Sequence, residues 1–278
     1  MRILFAIAHY YYPQGSGDYG SLSKNPLPRI LALESCIAHL QGIFGNWQCE
    51  FDISRCSTIS ITDKDVRDID VVICTTRDRH LLDRLSVPKT LYRHHPTDVN
   101  PPLLGFECQA LLRDRLGEYD YYCYLEDDLT LHDPWFFIKL NWFNKNVGNL
   151  ALLQPNRYEI GHSTAMSKAY IDGDIDPEYM SLFQDIRDRP ELKGYIMERP
   201  VSFKRPLNPH SGCYFLNDRQ MAYWSKQPHF FNRDTSFIGP LESAATLGIM
   251  KTFTIYKPAR PDLGFLEIQH SGTAFFSL

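Results

Sequence analysis

No stretch of this 278-residue chain approaches the roughly 18 consecutive apolar residues of a membrane-spanning helix. Nor are basic residues in excess: 29 Lys and Arg against 33 Asp and Glu leave a net charge of −4. That balance argues against a general nucleic-acid binder, which needs a basic surface to displace counterions. It leaves room for one phosphorylated small molecule, because a single cation or a local Arg cluster suffices for that. Cysteine pairs are missing too. Cys36, Cys49, Cys56, Cys74, Cys108, Cys123 and Cys213 form no C-x-x-C motif, and Cys74 and Cys123 sit inside apolar runs. The expectation is reduced, mostly buried thiols in a cytoplasmic protein, with neither a disulfide framework nor a structural zinc. Residues 1–8 are apolar but lack the length and the small-residue cleavage site of a signal peptide. Peripheral contact with a membrane surface is compatible with this. Internal repeats, low-complexity tracts and linkers are also lacking, so a single domain over 1–278 is expected.

What is there is an alternation of strands and helices. Residues 2–8 are a continuous apolar run, suited to a sheet covered on both faces. A loop rich in Gly and Tyr follows, and then Leu33, Ile37, Leu40 and Phe44 recur at helical spacing after Pro28. Cys49, Phe51 and Ile53 alternate like a half-buried strand, and residues 70–74 read as a second buried strand. Helix is expected over 106–116, strand over 121–125, helix over 135–146 and strand over 150–153. This order predicts an α/β fold with a mainly parallel central sheet flanked by helices. Residues 156–210 carry Pro, Gly and many charges and read as an irregular region shaping an acceptor pocket, or a long surface segment. Order returns with strands over 212–216 and 252–256 and a short helix over 240–248.

Glu126-Asp127-Asp128 follows the third buried strand directly. Three adjacent carboxylates repel one another unless something positive lies between them. In open α/β sheets ligands bind beyond the carboxyl ends of strands, where this triplet falls. Hard oxygen ligands suit Mg²⁺ or Mn²⁺, which bridge to substrate phosphates. A solvated acidic turn, with Asp128 or Asp133 capping a helix, is the competing interpretation.

In Tyr-Cys-Tyr-Leu-Glu-Asp-Asp-Leu (122–129) the chain resembles the GT-A glycosyltransferases, whose Asp-x-Asp-like motif ends a central strand. The likeness implies a GT-A-like single Rossmann-like domain, with a nucleotide-sugar-binding half over 1–155 and an acceptor and catalytic half over 156–278. It implies Asp128 as principal metal ligand, Glu126 toward the ribose or the metal's water shell, and Asp127 in the same nucleotide-binding set. His210-Ser211-Gly212-Cys213-Tyr214-Phe215 is similar to the small-residue loop that lines the sugar, with backbone approach at Gly212. Gly239-Pro240-Leu241-Glu242-Ser243 is similar to the acidic start of the helix under the acceptor. Inverting members of the family often have an Asp base where this chain has Ser243, so either Glu242 accepts the proton or the enzyme is not an inverting one; a helix-dipole role for Glu242 is the plainer reading. His270 stands where many members complete the metal and diphosphate site.

For the nucleotide end, His9, Tyr10 and Tyr11 after the first strand, Arg77 after the second, and Arg93-His94-His95-Pro96 are candidates. The reaction expected is transfer of a sugar from a nucleoside diphosphate to the hydroxyl of a saccharide or other acceptor. Two further readings stay open: a metal-dependent nucleotidyltransferase and a non-catalytic nucleotide-sugar-binding protein. The first is weakened because Gly15-Ser16-Gly17 has only Lys24 nearby as a base. The opening Met-Arg-Ile-Leu-Phe-Ala-Ile-Ala-His-Tyr-Tyr-Tyr-Pro is also similar to the start of GT-B enzymes, but no second domain of that kind is visible.

Overall fold

The computed structural model describes residues 1–15, 20–46, 48–61, 68–161, 167–272 and 276. It is an α/β structure with several sheets, and the chain divides into two compact units, Met1–Pro134 and Trp135–Leu278. That boundary lies earlier than the division after residue 155 drawn from the sequence. No described helix is long and apolar enough to cross a membrane. All seven cysteines are free thiols, with Cys49 and Cys56 exposed and the others buried.

In the first unit the opening apolar run forms strand β1 (Arg2–Ala8), whose residues Ile3 to Ile7 are buried. Helix α1 (Leu27–Phe44) follows, with Pro28 in its first turn, where a missing N–H costs nothing. Its buried stripe of Ile30, Leu33, Cys36, Ile37, Leu40 and Phe44 follows the helical period, and Phe44 stacks on Phe5 with ring centroids 6.3 Å apart. Strands β2 (Cys49–Asp52) and β3 (Ser57–Ser60) then form an antiparallel hairpin. Its alternation is not that of a half-buried strand: Phe51 is 73% and Ile53 86% exposed. Next come β4 (Asp68–Thr76), β5 (Arg93–Thr97), helix α2 (Leu104–Asp114), β6 (Tyr121–Glu126) and the two-residue β7 (Leu129–Thr130).

Within this unit the strand order is β6-β1-β4-β5, and every pairing is parallel. Register is what matters for function. Ala8 lies opposite Cys74 on one side and Glu126 on the other. Strands β1 and β6 therefore end level, and His9 and Asp127 emerge beside Thr75 of β4, which runs on to Thr76.

The second unit contains α3 (Phe136–Val147), β8 (Ala151–Leu153), β9 (Asn156–Ile160), β10 (Lys168–Tyr170), α4 (Pro177–Met180), β11 (Glu191–Ile196), β12 (Arg199–Lys204), β13 (Cys213–Asn217), α5 (Asp218–Trp224), α6 (Pro240–Glu242), α7 (Gly248–Met250), β14 (Thr254–Pro258) and β15 (Glu267–His270). A π-helical turn, Ser243–Leu247, joins α6 to α7. Strand β14 runs parallel to β8 and antiparallel to β12, which pairs antiparallel with β11. Strand β15 runs parallel to β9, and β9 pairs antiparallel with β10. These sheets are mixed, so one mainly parallel sheet does not describe the whole chain. The 156–210 stretch, expected to be irregular, holds four of these strands. Their charged, partly exposed side chains hide the apolar alternation by which a strand is recognised.

Aromatic rings fill much of this unit's core, with Phe143 5.3 Å from Phe203 and 6.1 Å from Tyr256 between centroids. Gly248 sits against buried Trp224, and a Cβ there would fall 2.7 Å from the indole Cζ2. The indole is rigid and enclosed, so Gly248→Ala is expected to cost about 1–3 kcal/mol by overpacking. Urea unfolding measures it; an unchanged midpoint would show that the indole has room to give.

Candidate functional site

The parallel edge of the first unit gathers its polar residues around Asp127. This carboxylate is almost fully buried. His9 leaves β1 with its backbone N–H bonded to the Cys74 carbonyl at 2.9 Å, which turns its ring into the interior. The Leu81 N–H donates to Nε2 of that ring at 3.0 Å. Nε2 is therefore the unprotonated nitrogen, and Nδ1–H donates to Asp127. From α1, the Arg29 guanidinium forks across both aspartates: one Nη bonds Asp127 and the other bonds Asp128 Oδ2 at 2.7 Å. This is the planar, two-armed recognition that Arg provides and Lys does not.

The electrostatics follow from that geometry. Burial by itself would raise the Asp127 carboxyl, but Arg29 and then the His9 hydrogen bond outweigh it and hold the group below the usual carboxylate range. Burial likewise opposes the charge on Arg29, and Asp127 and Asp128 together push its affinity for the proton above normal. Cys36, behind them on α1, is pushed up by burial and then by the two aspartates, which keeps it an inert thiol.

Sequence reasoning grouped His9, Tyr10 and Tyr11 as nucleotide-facing residues. His9 is instead enclosed and oriented by Asp127 and Leu81. Tyr11 packs with Ile30 and Leu81, and its hydroxyl donates to the Ser23 carbonyl at 2.6 Å. Tyr10 remains partly exposed. A residue missed from the sequence, Arg79, ties this loop together: its guanidinium lies over the Tyr12 ring, 4.3 Å from the centroid, and reaches the Tyr10 hydroxyl at 3.5 Å. Arg77 is exposed with a left-handed backbone (φ +52°), and its N–H donates to Thr97 O at 2.8 Å. Arg93 is paired with Asp70 at 2.7 Å. His94 bonds Thr75 Oγ1 at 2.7 Å and meets His80 edge-on, 5.1 Å between centroids. Burial lowers the proton affinity of both imidazoles, and mutual repulsion lowers it further for His94. Of the glycine-rich segment at 15–17, Ser16 and Gly17 lie outside the described residues.

In the second unit Gly212 is buried at φ +62°, a conformation that favours glycine. Its neighbour Ser211 donates to the Pro155 carbonyl at 2.8 Å. Glu242 is partly exposed and folds back over Gly239, where a Cβ would come within 2.8 Å of its Oε2. Ser243 is buried, donating to Phe237 O at 3.0 Å and accepting from Phe237 N at 3.1 Å. His270 Nδ1 lies 2.9 Å from Oε1 of buried Glu159.

The resemblance implies a divalent cation at the acidic turn. Glu126, Asp127 and Asp128 offer hard oxygen donors of the kind that suit such a cation, and the Arg29 guanidinium bonds Asp127 and Asp128. Asp127, bonded by Arg29 and His9, serves as the anchor of the turn. Among the described residues no group of three or more His, Cys, Asp or Glu side chains forms a cage for a metal. A Mg²⁺ or Mn²⁺ that keeps water and phosphate ligands needs fewer protein ligands than that.

Arg29 was invisible to motif reading, since it stands 98 residues from Asp127 inside a Pro-Leu-Pro-Arg segment. Compared with known proteins, the chain matches no family model and no curated sequence.

Proposed function

We propose that this chain is a metal-dependent glycosyltransferase of GT-A type, moving a sugar from a nucleoside diphosphate sugar to an acceptor hydroxyl. One observation carries the reading. The acidic turn 126–128 begins at the C-terminal end of β6, level with the end of parallel β1, the position at which open α/β sheets bind ligands. Glu126 and Asp128 would hold the Mn²⁺ or Mg²⁺, which supplies neutralisation of charge developing on the diphosphate. Arg29 and His9 keep the turn rigid and Asp127 ionised. Arg77, Arg79 and Tyr10 offer cationic and aromatic contacts for the nucleotide. In the second unit, Gly212 is the candidate for backbone approach to the sugar and Glu242 for taking the acceptor's proton. His270, its Nδ1 held by Glu159, is the candidate further metal ligand. Free thiols fit a reducing, cytoplasmic setting.

A second reading, binding of a nucleotide sugar without transfer, is favoured by Ser243. That residue stands where inverting members often carry their base, and its hydroxyl is spent on the Phe237 backbone. One experiment separates the readings: thermal melting with a panel of nucleotide sugars, with Mn²⁺ or a chelator, on wild type and Asp128→Asn. A donor at about 100 times its Kd should stabilise the wild type by about 2.7 kcal/mol, and only with metal and Asp128 present. Release of nucleoside diphosphate then distinguishes transfer or hydrolysis from binding alone. If no nucleotide sugar gives a metal-dependent shift, both readings are withdrawn.

A further inference from the structure

The second unit holds a buried polar cluster that the reading above leaves without a role. Lys257 is 2% exposed, and its Nζ donates to Asp172 Oδ2 at 2.7 Å and to the His210 carbonyl at 2.6 Å. Arg157 Nε donates to the other oxygen of Asp172 at 2.8 Å. The His210 N–H donates to Asn208 Oδ1 at 3.2 Å, so the backbone of this residue is held from both sides. His210 is only 6% exposed, and its Nδ1 lies 2.9 Å from Thr246 Oγ1 in the π-helical turn.

Thr246 is fully buried, and its hydroxyl bonds no described residue other than His210. The hydroxyl proton needs an acceptor, and Nδ1 is the one within reach. The opposite assignment, Nδ1–H donating to Oγ1, would leave the hydroxyl proton of a fully enclosed residue with nothing to bond, whereas His210 keeps 6% exposure. Nδ1 is therefore the accepting nitrogen, and the ring proton resides on Nε2. That Nε2–H bonds no described residue. A π-helical turn inside a helix frequently marks a functional position, and here it supplies the residue that sets the tautomer.

We propose that His210 Nε2–H is a preset hydrogen-bond donor to an oxyanion of the ligand, oriented by Thr246 and backed by Arg157 and Lys257. Burial, and then the positive charge of Arg157, hold the imidazole well below its ordinary proton affinity; Lys257 and His270 add to this and Asp172 opposes it. The ring thus stays neutral, and its surroundings favour a negative ligand atom. The inference stands apart from the metal site, since neither Asp128 nor a cation enters it.

The test is a two-bond ¹⁵N–¹H correlation spectrum of the full chain with ¹⁵N-labelled histidine, recorded near neutral pH with a chelator present. The expected result is a neutral His210 in the Nε2–H form, converted toward a tautomer mixture in Thr246→Val. Titration with inorganic phosphate, and separately with UDP, should move the His210 ring resonances saturably. Movement by phosphate identifies a free oxyanion as sufficient; movement by UDP alone identifies the diphosphate of a nucleotide. The response should weaken roughly tenfold in Thr246→Val, the size of one ordinary hydrogen bond's net contribution. It should persist in Asp128→Asn, so the fate of the metal-dependent transferase reading does not decide it. An Nδ1–H ring in the wild type, or resonances unmoved by both phosphate and UDP, would overturn the proposal.

Discussion

Asp172→Asn is expected to lose about 3–5 kcal/mol of stability, the cost of stripping the carboxylate from a buried ionic cluster. Its side chain is 4% exposed and receives Lys257 Nζ, Arg157 Nε and the Arg157 backbone N–H. The amide that replaces it presents at best one oxygen to three donors and removes the carboxylate that two enclosed cations share. The wild type carries the signature of this arrangement in its acid limb. Burial alone would raise the Asp172 carboxyl, but Lys257 and then Arg157 outweigh it and pull it down to about 2. The folded value thus lies below the unfolded one of about 3.9. The resulting stabilisation is fully present above about pH 4 and is lost as pH falls toward about 2, on the order of 2–3 kcal/mol in all. In Asp172→Asn that part of the acid limb should vanish. Urea unfolding at a series of pH values reads both effects. A variant that keeps the wild-type acid limb would show that another carboxylate carries it.

Arg29→Met should cost a similar amount, about 3–5 kcal/mol, for the mirror-image reason. Methionine retains much of the buried stem and removes only the fork that neutralises Asp127 and Asp128. Asp127, left with the His9 N–H, then meets the full penalty of burial. Arg29→Lys restores a charge but not two arms, and should lose less than the methionine variant. The double variant Arg29→Met with Asp127→Asn should recover part of the loss, because the uncompensated carboxylate has gone with its partner. Additive losses in that cycle, or an Arg29→Met cost below about 1 kcal/mol, would mean that the guanidinium is not what holds the acidic turn.

Much of the first unit was legible before any coordinates. The apolar run of β1, the helical stripe of α1 and the buried Tyr122 to Leu125 each report burial through a local period, and each forms as expected. The hairpin β2–β3 misled for the same reason. Its alternation of Cys49, Phe51 and Ile53 is real, but alternation shows that a strand has two faces, not that either is covered. Strand β5, built from Arg93-His94-His95-Pro96-Thr97, gave no apolar signal; its parallel pairing to β4 is a backbone matter. Between 156 and 204, β10 and β11 carry mostly exposed, charged side chains, and β12 shows a core face of only Val201 and Phe203, too short a period to count.

The sequence by itself determined which short segments bury themselves and where the acidic triplet ends a strand. Those properties depend on neighbours within a turn or two along the chain. Only the tertiary structure decided what each charge is for. Asp127 is paired with residues 98 and 118 positions away, and Lys257 with one 85 positions away. Burial makes an unpaired charge costly enough that its partner is obligatory. Local sequence can show that such a partner must exist; its identity depends on which strand ends the register brings level.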